Sequence, residues 1–307
     1  MTQRLMGIIA GIAAIVLGVA VLMGGAGFSG EVLDEVSRSF ALAPGQELVI
    51  RGWNGPITYG PWEGDEVRIA ATAETGGVLG GLWRLLGGQV TVNFVEDERG
   101  VAARADASGG LLGRGSVKVR FHVAVPRDWS GRVALTTSNG PINAAGLAGD
   151  AALRTSNGAI QVRGLAGTLE ARTTNGTIQL ADVDGRVEAV TTNGPVKVLG
   201  GTLAGSGRVQ TTNGGIELRA ALARDASYDL TTSNGTVRTY LQAPDVALDL
   251  NTFNGRILLE TEVAVSRIDG RRLVGRLGEG NAFLRIRTTN GSITLGAQPA
   301  AVMGPAG

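Results

Sequence analysis

Asparagine is followed by glycine nine times in this chain, and that pairing constrains the fold more than any other feature. The sequence holds 13 asparagines and 49 glycines in 307 residues, a composition at which chance gives about two such pairs. The asparagines concerned are Asn54, Asn139, Asn157, Asn175, Asn193, Asn213, Asn234, Asn254 and Asn290. From Asn139 onward their separations are 18, 18, 18, 20, 21, 20 and 36 residues. The last is twice 18, so a period near 20 runs through the C-terminal half, which marks a repeat architecture.

Each later repeat carries the same pattern around its corner. Two residues before asparagine stands threonine: Thr137, Thr155, Thr173, Thr191, Thr211, Thr232, Thr252 and Thr288. An apolar residue stands four before, from Leu135 to Ile286, and Ile or Val three after, from Ile142 to Ile293. The residues between, such as Arg154, Arg172 and Gln210, are mostly polar. This is period-two alternation on both sides of a turn, the pattern of half-buried strands.

Asn-Gly commonly closes a two-residue hairpin, but a row of hairpins gives no reason for a fixed 18-residue return with Thr and Ile at constant offsets. A coil that meets the same corner once per turn does. The pattern therefore predicts an all-β, right-handed parallel β-solenoid with rungs of 18–21 residues, stacked about 4.8 Å apart. Its hand follows the preference of parallel crossovers. A left-handed hexapeptide coil would repeat an aliphatic residue every sixth position; from Ile160 that step meets Ala166 and then Arg172, so the hexad is absent. Threonines and isoleucines should form columns, and the asparagines an amide ladder between rungs. Whether each asparagine points inward or takes the left-handed conformation stays open at this level.

Composition agrees with a thin, one-dimensional core: aromatic residues make up 4% and charged residues 18%. A formal charge of +1 lacks the concentrated basic face that a nucleic-acid partner requires. Cysteine is absent, which excludes disulfides and thiolate metal sites.

The organisation reads as three parts. Residues 1–30 form an export segment: Leu5–Met23 is uncharged and follows Arg4. At about 1.5 Å per helical residue it can cross an apolar layer of about 30 Å. A retained single-pass anchor in the cytoplasmic membrane, with the C-terminal part outside, is the favoured expectation. Cleavage near Gly24–Gly27 would instead release a secreted or periplasmic protein. Residues 31–297 form the solenoid, irregular over 31–130 and regular over 131–297. Its first corner is at Asn54, flanked by Ile50 and Ile57, and strands are expected at 66–74, 89–97 and 117–126. An apolar insertion at 76–88 reads as a short capping helix, with a membrane or partner contact as the alternative. Residues 268–286 read as a hairpin excursion in a rung without a corner. Residues 298–307, rich in Ala, Pro and Gly, form a disordered tail.

An export segment, a first GxI rung, the strand VAVPRDW at 123–129 and serial TxNGxI rungs ending in LRIRTTNGSITLG at 284–296 together resemble the bacterial putative-adhesin domains of unknown function. The likeness covers roughly residues 38–297. It implies an envelope protein with a parallel β-solenoid, associated with surface adhesion and envelope stress. It carries over no catalytic or ligand-binding residue, because the shared positions are those of the rungs themselves.

Chemistry-bearing residues are sparse. The single histidine, His122, lies in an alternating strand with no acidic or nucleophilic neighbour, which favours a structural or exposed role over general base catalysis. The run ADVDGRVE at 181–188 lacks the spacing of a calcium loop, so Asp182 and Asp184 read as turn residues. Outward positions four after each asparagine (Asn143, Gln161, Gln179, Lys197, Glu217, Arg238, Leu258, Thr294) gather no acidic cluster. Arg154 and Arg172, with Arg287 further on, form a sparse surface stripe that could meet an anionic polymer or lipid headgroups; an ordinary solvated face is the simpler reading. No catalytic, cofactor-binding or metal-binding residue is expected. The residues that matter are the rung asparagines Asn139, Asn157, Asn175, Asn193, Asn213, Asn234, Asn254 and Asn290.

The function expected is therefore that of a non-enzymatic surface or scaffold module, held at the membrane by its N-terminal helix and presenting a rigid face to an envelope protein or polysaccharide. Self-association into a rod through unpaired terminal rungs is a second reading, and a glycan-acting lyase or hydrolase a third.

Overall fold

The structure is a computed structural model that describes residues 31–75, 88–108 and 117–298, with side chains from Glu35 onward. The described residues form strands and no helix. The expected export segment at 1–30, nearly all of the apolar insertion at 76–88 with its expected capping helix, and the residues beyond Gln298 expected to form a tail lie outside them.

Seven strands precede the regular corners: β1 (Glu31–Phe40), β2 (Glu47–Arg51), β3 (Ile57–Trp62), β4 (Val67–Thr75), β5 (Gln89–Asp97), β6 (Gly100–Ser108) and β7 (Val117–Pro126). The repeats supply β8 (Arg132–Thr136), β9 (Ile142–Arg154), β10 (Ile160–Arg172), β11 (Ile178–Val190), β12 (Val196–Leu203), β13 (Ser206–Asn213), β14 (Ile216–Leu222), β15 (Ser227–Asn234), β16 (Val237–Gln242) and β17 (Val246–Thr252). The last five are β18 (Ile257–Leu259), β19 (Ala264–Asp269), β20 (Arg272–Leu277), β21 (Ala282–Asn290) and β22 (Ile293–Gln298). Gln298, expected in the tail, is thus the final residue of a strand.

Successive repeats stack in parallel and in register, giving a solenoid-like assembly. Ile160 lies opposite Ile142 on one side and Ile178 on the other, and Ile178 in turn opposite Val196. The column continues through Ile216, Val237 and Ile293. A second column, Leu135, Leu153, Ala171, Ala189, Val209, Leu230 and Ile286, runs before the corners. Both are buried along their length, while the residues between them alternate outward. The core is therefore a stack of short aliphatic layers, each closed by the layer above and below.

The second turn of each repeat also has a sequence basis. Gly146, Gly164, Asp182 and Gly200 occupy equivalent places in consecutive repeats and all take positive φ, from 54° to 88°. Glycine does so freely, and aspartate is one of the few other residues that tolerates it. Asp182 is therefore a turn residue, as its sequence context suggests.

Spatial order departs from chain order at both ends. The Asn54 repeat, β2 and β3, lies between the regular stack (β8, β9) and the later strands β6 and β7. At the other end the Asn290 repeat slips between those of Asn234 and Asn254: β21 pairs with both β15 and β17, and β22 with both β16 and β18. The last repeat in chain order is therefore not the outermost in the stack. The expected excursion is a real hairpin, β19–β20, and β20 lies antiparallel against β17. Long-range pairing sets this order, since β21 and β22 are each flanked on both sides by strands of earlier repeats.

Ile178→Ala removes methylenes from a side chain that is 0% exposed, and the expected loss is about 2–5 kcal/mol. Thr177→Ala, at the half-exposed neighbour, should cost under about 0.5 kcal/mol. Hydrogen exchange should show the Ile178 lesion weakening the repeats on both sides as well as its own. Equal effects of the two substitutions would contradict the stacked core.

Candidate functional site

The most regular constellation in the molecule is the corner itself. The threonine two residues before each asparagine is buried, and its hydroxyl donates to the carbonyl of the corner glycine one repeat back. Thr155 reaches Gly140 at 3.0 Å, Thr173 reaches Gly158 at 3.0 Å and Thr191 reaches Gly176 at 3.1 Å. The interleaved end keeps the rule: Thr288 donates to Gly235 at 2.9 Å and Thr252 to Gly291 at 2.8 Å. Glycine is required there by close approach. A Cβ on Gly176 would sit 1.9 Å from the Gly158 carbonyl oxygen.

The asparagines, left open by sequence, point outward. All eight are exposed, and none takes positive φ. From Asn157 onward each carboxamide donates through Nδ2 to Oδ1 of the preceding one in the stack at 2.8 Å: Asn157 to Asn139, then Asn175, Asn193, Asn213, Asn234, Asn290 and Asn254 in turn. They form one continuous solvent-facing amide ladder, bonded side by side and closed to no pocket.

The arginine stripe is present in part and is not bare. Arg154 and Arg172 are adjacent in register. Arg154 donates to Glu170 at 2.7 Å, and Arg172 bridges Glu170 and Glu188 at 2.6 Å each. Arg287 lies further along the same row, separated by Val190, Gln210 and Thr231. The stripe is therefore a ladder of ion pairs between repeats, and Glu170 and Glu188 are the residues that sequence reasoning passed over. Their signal was available: they stand 18 apart, two residues before Arg172 and Val190. The two arginines hold the Glu170 carboxyl below its ordinary value, the Arg154 hydrogen bond contributing most, against a smaller opposing effect of burial.

His122 is exposed, opposite Thr58 in the parallel ladder and Ala70 in the antiparallel one. Asp184 accepts from the backbone of Thr202 at 2.9 Å, a contact between neighbouring repeats. Among the described residues no group of three His, Cys, Asp or Glu side chains converges as metal ligands would. On the wall after the corner, Asn143, Gln161, Gln179 and Lys197 stand side by side in one outward row. Arg163, two residues after Gln161, is exposed beside them.

A family model described as Toastrack DUF4097 matches residues 113–296, more than half of the chain. The chain belongs to the Toastrack DUF4097 family. Among solved structures, a putative adhesin from Parabacteroides distasonis aligns at 13% identity and a TM-score of 0.48, over 85% of this chain and 97% of its own. A putative adhesin from Parabacteroides merdae aligns at 13% identity and a TM-score of 0.42, over 87% and 95%. A putative lipid binding protein from Parabacteroides distasonis aligns at 13% identity and a TM-score of 0.31, over 87% and 96%. No match was found among curated proteins.

A carboxyl held below its ordinary value in the folded state contributes stability that is present above its unfolded pKa and is lost as pH falls through the folded one. Glu170 should therefore stabilise the stack at neutral pH and stop doing so as acid is added below its ordinary value of 4.5. Glu170→Gln should flatten this part of the acid limb of a stability-against-pH curve, measured by urea denaturation. An unchanged acid limb would show that the ladder of ion pairs carries no stability.

Proposed function

We propose that this chain is a non-enzymatic envelope module: a right-handed solenoid, held at the outer side of the cytoplasmic membrane by Leu5–Met23, that presents one flat wall to a hydroxyl-rich envelope polymer. The observation that carries the reading is the outward row Asn143, Gln161, Gln179 and Lys197, with Arg163 beside it, fixed in register by β9–β12. Carboxamides both donate and accept hydrogen bonds, which suits them to sugar hydroxyls repeated along a strand-like polymer. Among the described residues these side chains make no hydrogen bond or ion pair to the protein, whereas the arginine wall is already engaged with its own glutamates. Preorganisation favours the exposed row: the wall is rigid, so little ordering is needed when a ligand lies along it. The right hand follows from the chirality of parallel crossovers.

Family membership supports a surface role and supplies no reaction. The description of one solved structure as lipid binding leaves a lipid headgroup as the alternative ligand of the same wall.

Co-sedimentation with insoluble cell-wall polysaccharide tests the binding face. The full chain in mild detergent should pellet with the polymer, and a variant carrying Arg163→Ala, Gln161→Ala and Gln179→Ala should lose most of that association while melting normally. Equal pelleting of the two proteins would overturn the assignment.

Topology is checked separately. Protease added to intact spheroplasts should degrade the part beyond Glu31. Protection of that part would overturn the external placement, and a mature protein beginning near Gly27 would replace the anchor by a cleaved signal.

A further inference from the structure

The two ends of the stack are finished differently. At the N-terminal end both walls are extended past the Asn54 repeat: β2 is followed outward by β6 and β5, and β3 by β7, β4 and β1. At the C-terminal end only one wall is extended. Outside β17 lie β20 and β19. Among the described residues β18 pairs with β22 alone. One wall thus ends two strands higher than the other, a step of roughly 10 Å at the usual strand spacing.

The lower edge is open for pairing. The Arg256 carbonyl accepts from Ile293 at 2.9 Å and the Glu260 N–H donates to Leu295 at 2.8 Å. In a parallel ladder such groups alternate in direction, so the N–H and C=O of Ile257 and Leu259 point away from β22, into the step. Exposed apolar side chains collect at the same place. Of the six large ones exposed among the described residues, Phe253, Leu258, Leu259, Val265 and Ile268 all lie here, and Ile268 is 68% exposed. Ile268 shares the face of the buried Leu273, its partner across the hairpin. It therefore stands on the inner side of the taller wall with nothing on the lower wall to cover it.

We propose that this end is an interface between two copies of the chain, each filling the other's step. A second copy turned about a two-fold axis lying between the walls, along the strand direction, sets its taller wall on the first copy's lower one. Its β19 then extends β18, and the first copy's β19 extends the second β18. The heights match because the surplus of two strands on one wall meets the deficit on the other, and the contact is isologous.

Strand direction and charge agree with this occupant. β19 runs with β17, since it is antiparallel to β20 and β20 is antiparallel to β17. Across the corner β18 runs the opposite way, so the new pairs are antiparallel. With Ile268 of one copy opposite Ile257 of the other, Arg256 faces Asp269. With Ile268 opposite Leu259, Glu260 faces Arg267. Among the described residues Arg256 and Glu260 have no ion pair of their own; Arg267 and Asp269 pair with each other at 3.4 Å on the open edge, and Arg272 across the hairpin also attracts Asp269. Both edges carry one cation and one anion, so they attract in the registers that also cover Ile268.

The test uses the full chain in detergent solution and analytical ultracentrifugation. The parent protein should sediment as a dimer. Leu259→Pro removes an N–H that faces the step and leaves the ladder to β22 intact, and Ile268→Lys places a charge on the exposed side chain. Each should weaken dimerisation by about tenfold or more without changing the melting transition, and Ile268→Lys keeps the test alive if the proline variant fails to fold. Mixing the two variants in equal amounts should restore dimers, because one of the two junctions then joins a wild-type β18 to a wild-type β19. A monomeric parent at every concentration would overturn the proposal, whether or not a strand of another protein fills the step. Assemblies larger than a dimer would overturn it in favour of an open rod, and a mixture that stays monomeric would overturn the reciprocal geometry. None of these outcomes depends on the polymer-facing wall, whose residues lie on other strands.

Discussion

The contact on which the stack rests is a threonine hydroxyl donating to a glycine carbonyl one repeat away. It solves two problems at once. The corner glycine must come so near its predecessor that a Cβ would lie 2.0 Å or less from the carbonyl oxygen at Gly158 and Gly176. That oxygen, turned toward the interior, needs a donor, and the buried threonine supplies one at 3.0–3.1 Å for Gly140, Gly158 and Gly176. Each such bond contributes about 1 kcal/mol net, and loss of the donor would strand a buried acceptor at a cost of about 1–3 kcal/mol. β-branched threonine also suits the extended backbone on either side of the turn. Once the corners are locked in register, the Ile and Leu columns on either side have no freedom to slip, since a slip of one residue would turn every aliphatic side chain outward.

Termination is the harder problem for a molecule built this way. Each repeat has a template for the next, and an uncovered final repeat offers unpaired main chain to any strand that approaches. The N-terminal end solves this by doubling back on both walls, with Phe40 and Phe94 meeting at 5.7 Å between ring centres. The C-terminal end inserts its last repeat one place inward and covers only one wall with a hairpin. Interleaving has a further effect: β22 is held between two parallel neighbours, so the repeat that comes last in chain order among the described residues is not the outermost in the stack.

Local periodicity made much of this readable beforehand. The columns from Ile142 to Ile293 and from Leu135 to Ile286, the first corner at Asn54 and the hairpin near 268–286 all follow from spacing and alternation. What escaped depends on pairing between distant segments. Nothing near Asn290 says that its repeat lies inside that of Asn254, whereas the partner of Arg154, Glu170 on the next turn, was legible from the 18-residue spacing and was passed over. The direction of the asparagines escaped for another reason. An amide can be satisfied by the corner backbone or by its own copy one turn away, and only the stacking distance selects the second. As for the wall proposed to bind polymer, sequence supplied its residues as an outward row, while their lack of partners is visible only in three dimensions.

The corner has one more consequence, and it concerns chemical ageing. Asparagine followed by glycine is the pair in which the next main-chain nitrogen most readily attacks the side-chain carboxamide, expelling its Nδ2 as ammonia and closing a succinimide that water opens to aspartate or isoaspartate. Here that nitrogen is occupied: Gly140, Gly158, Gly176, Gly194, Gly214 and Gly235 each donate to an asparagine carbonyl on the adjoining repeat at 2.9–3.1 Å. The carboxamide it would attack is held in the ladder as well. The same stacking that makes Asn-Gly useful thus shields it from deamidation for as long as the chain stays folded. A chain held unfolded for long would exchange carboxamides for carboxylates at the positions that must later bond side by side, and like charges about 4.8 Å apart would then oppose the stack.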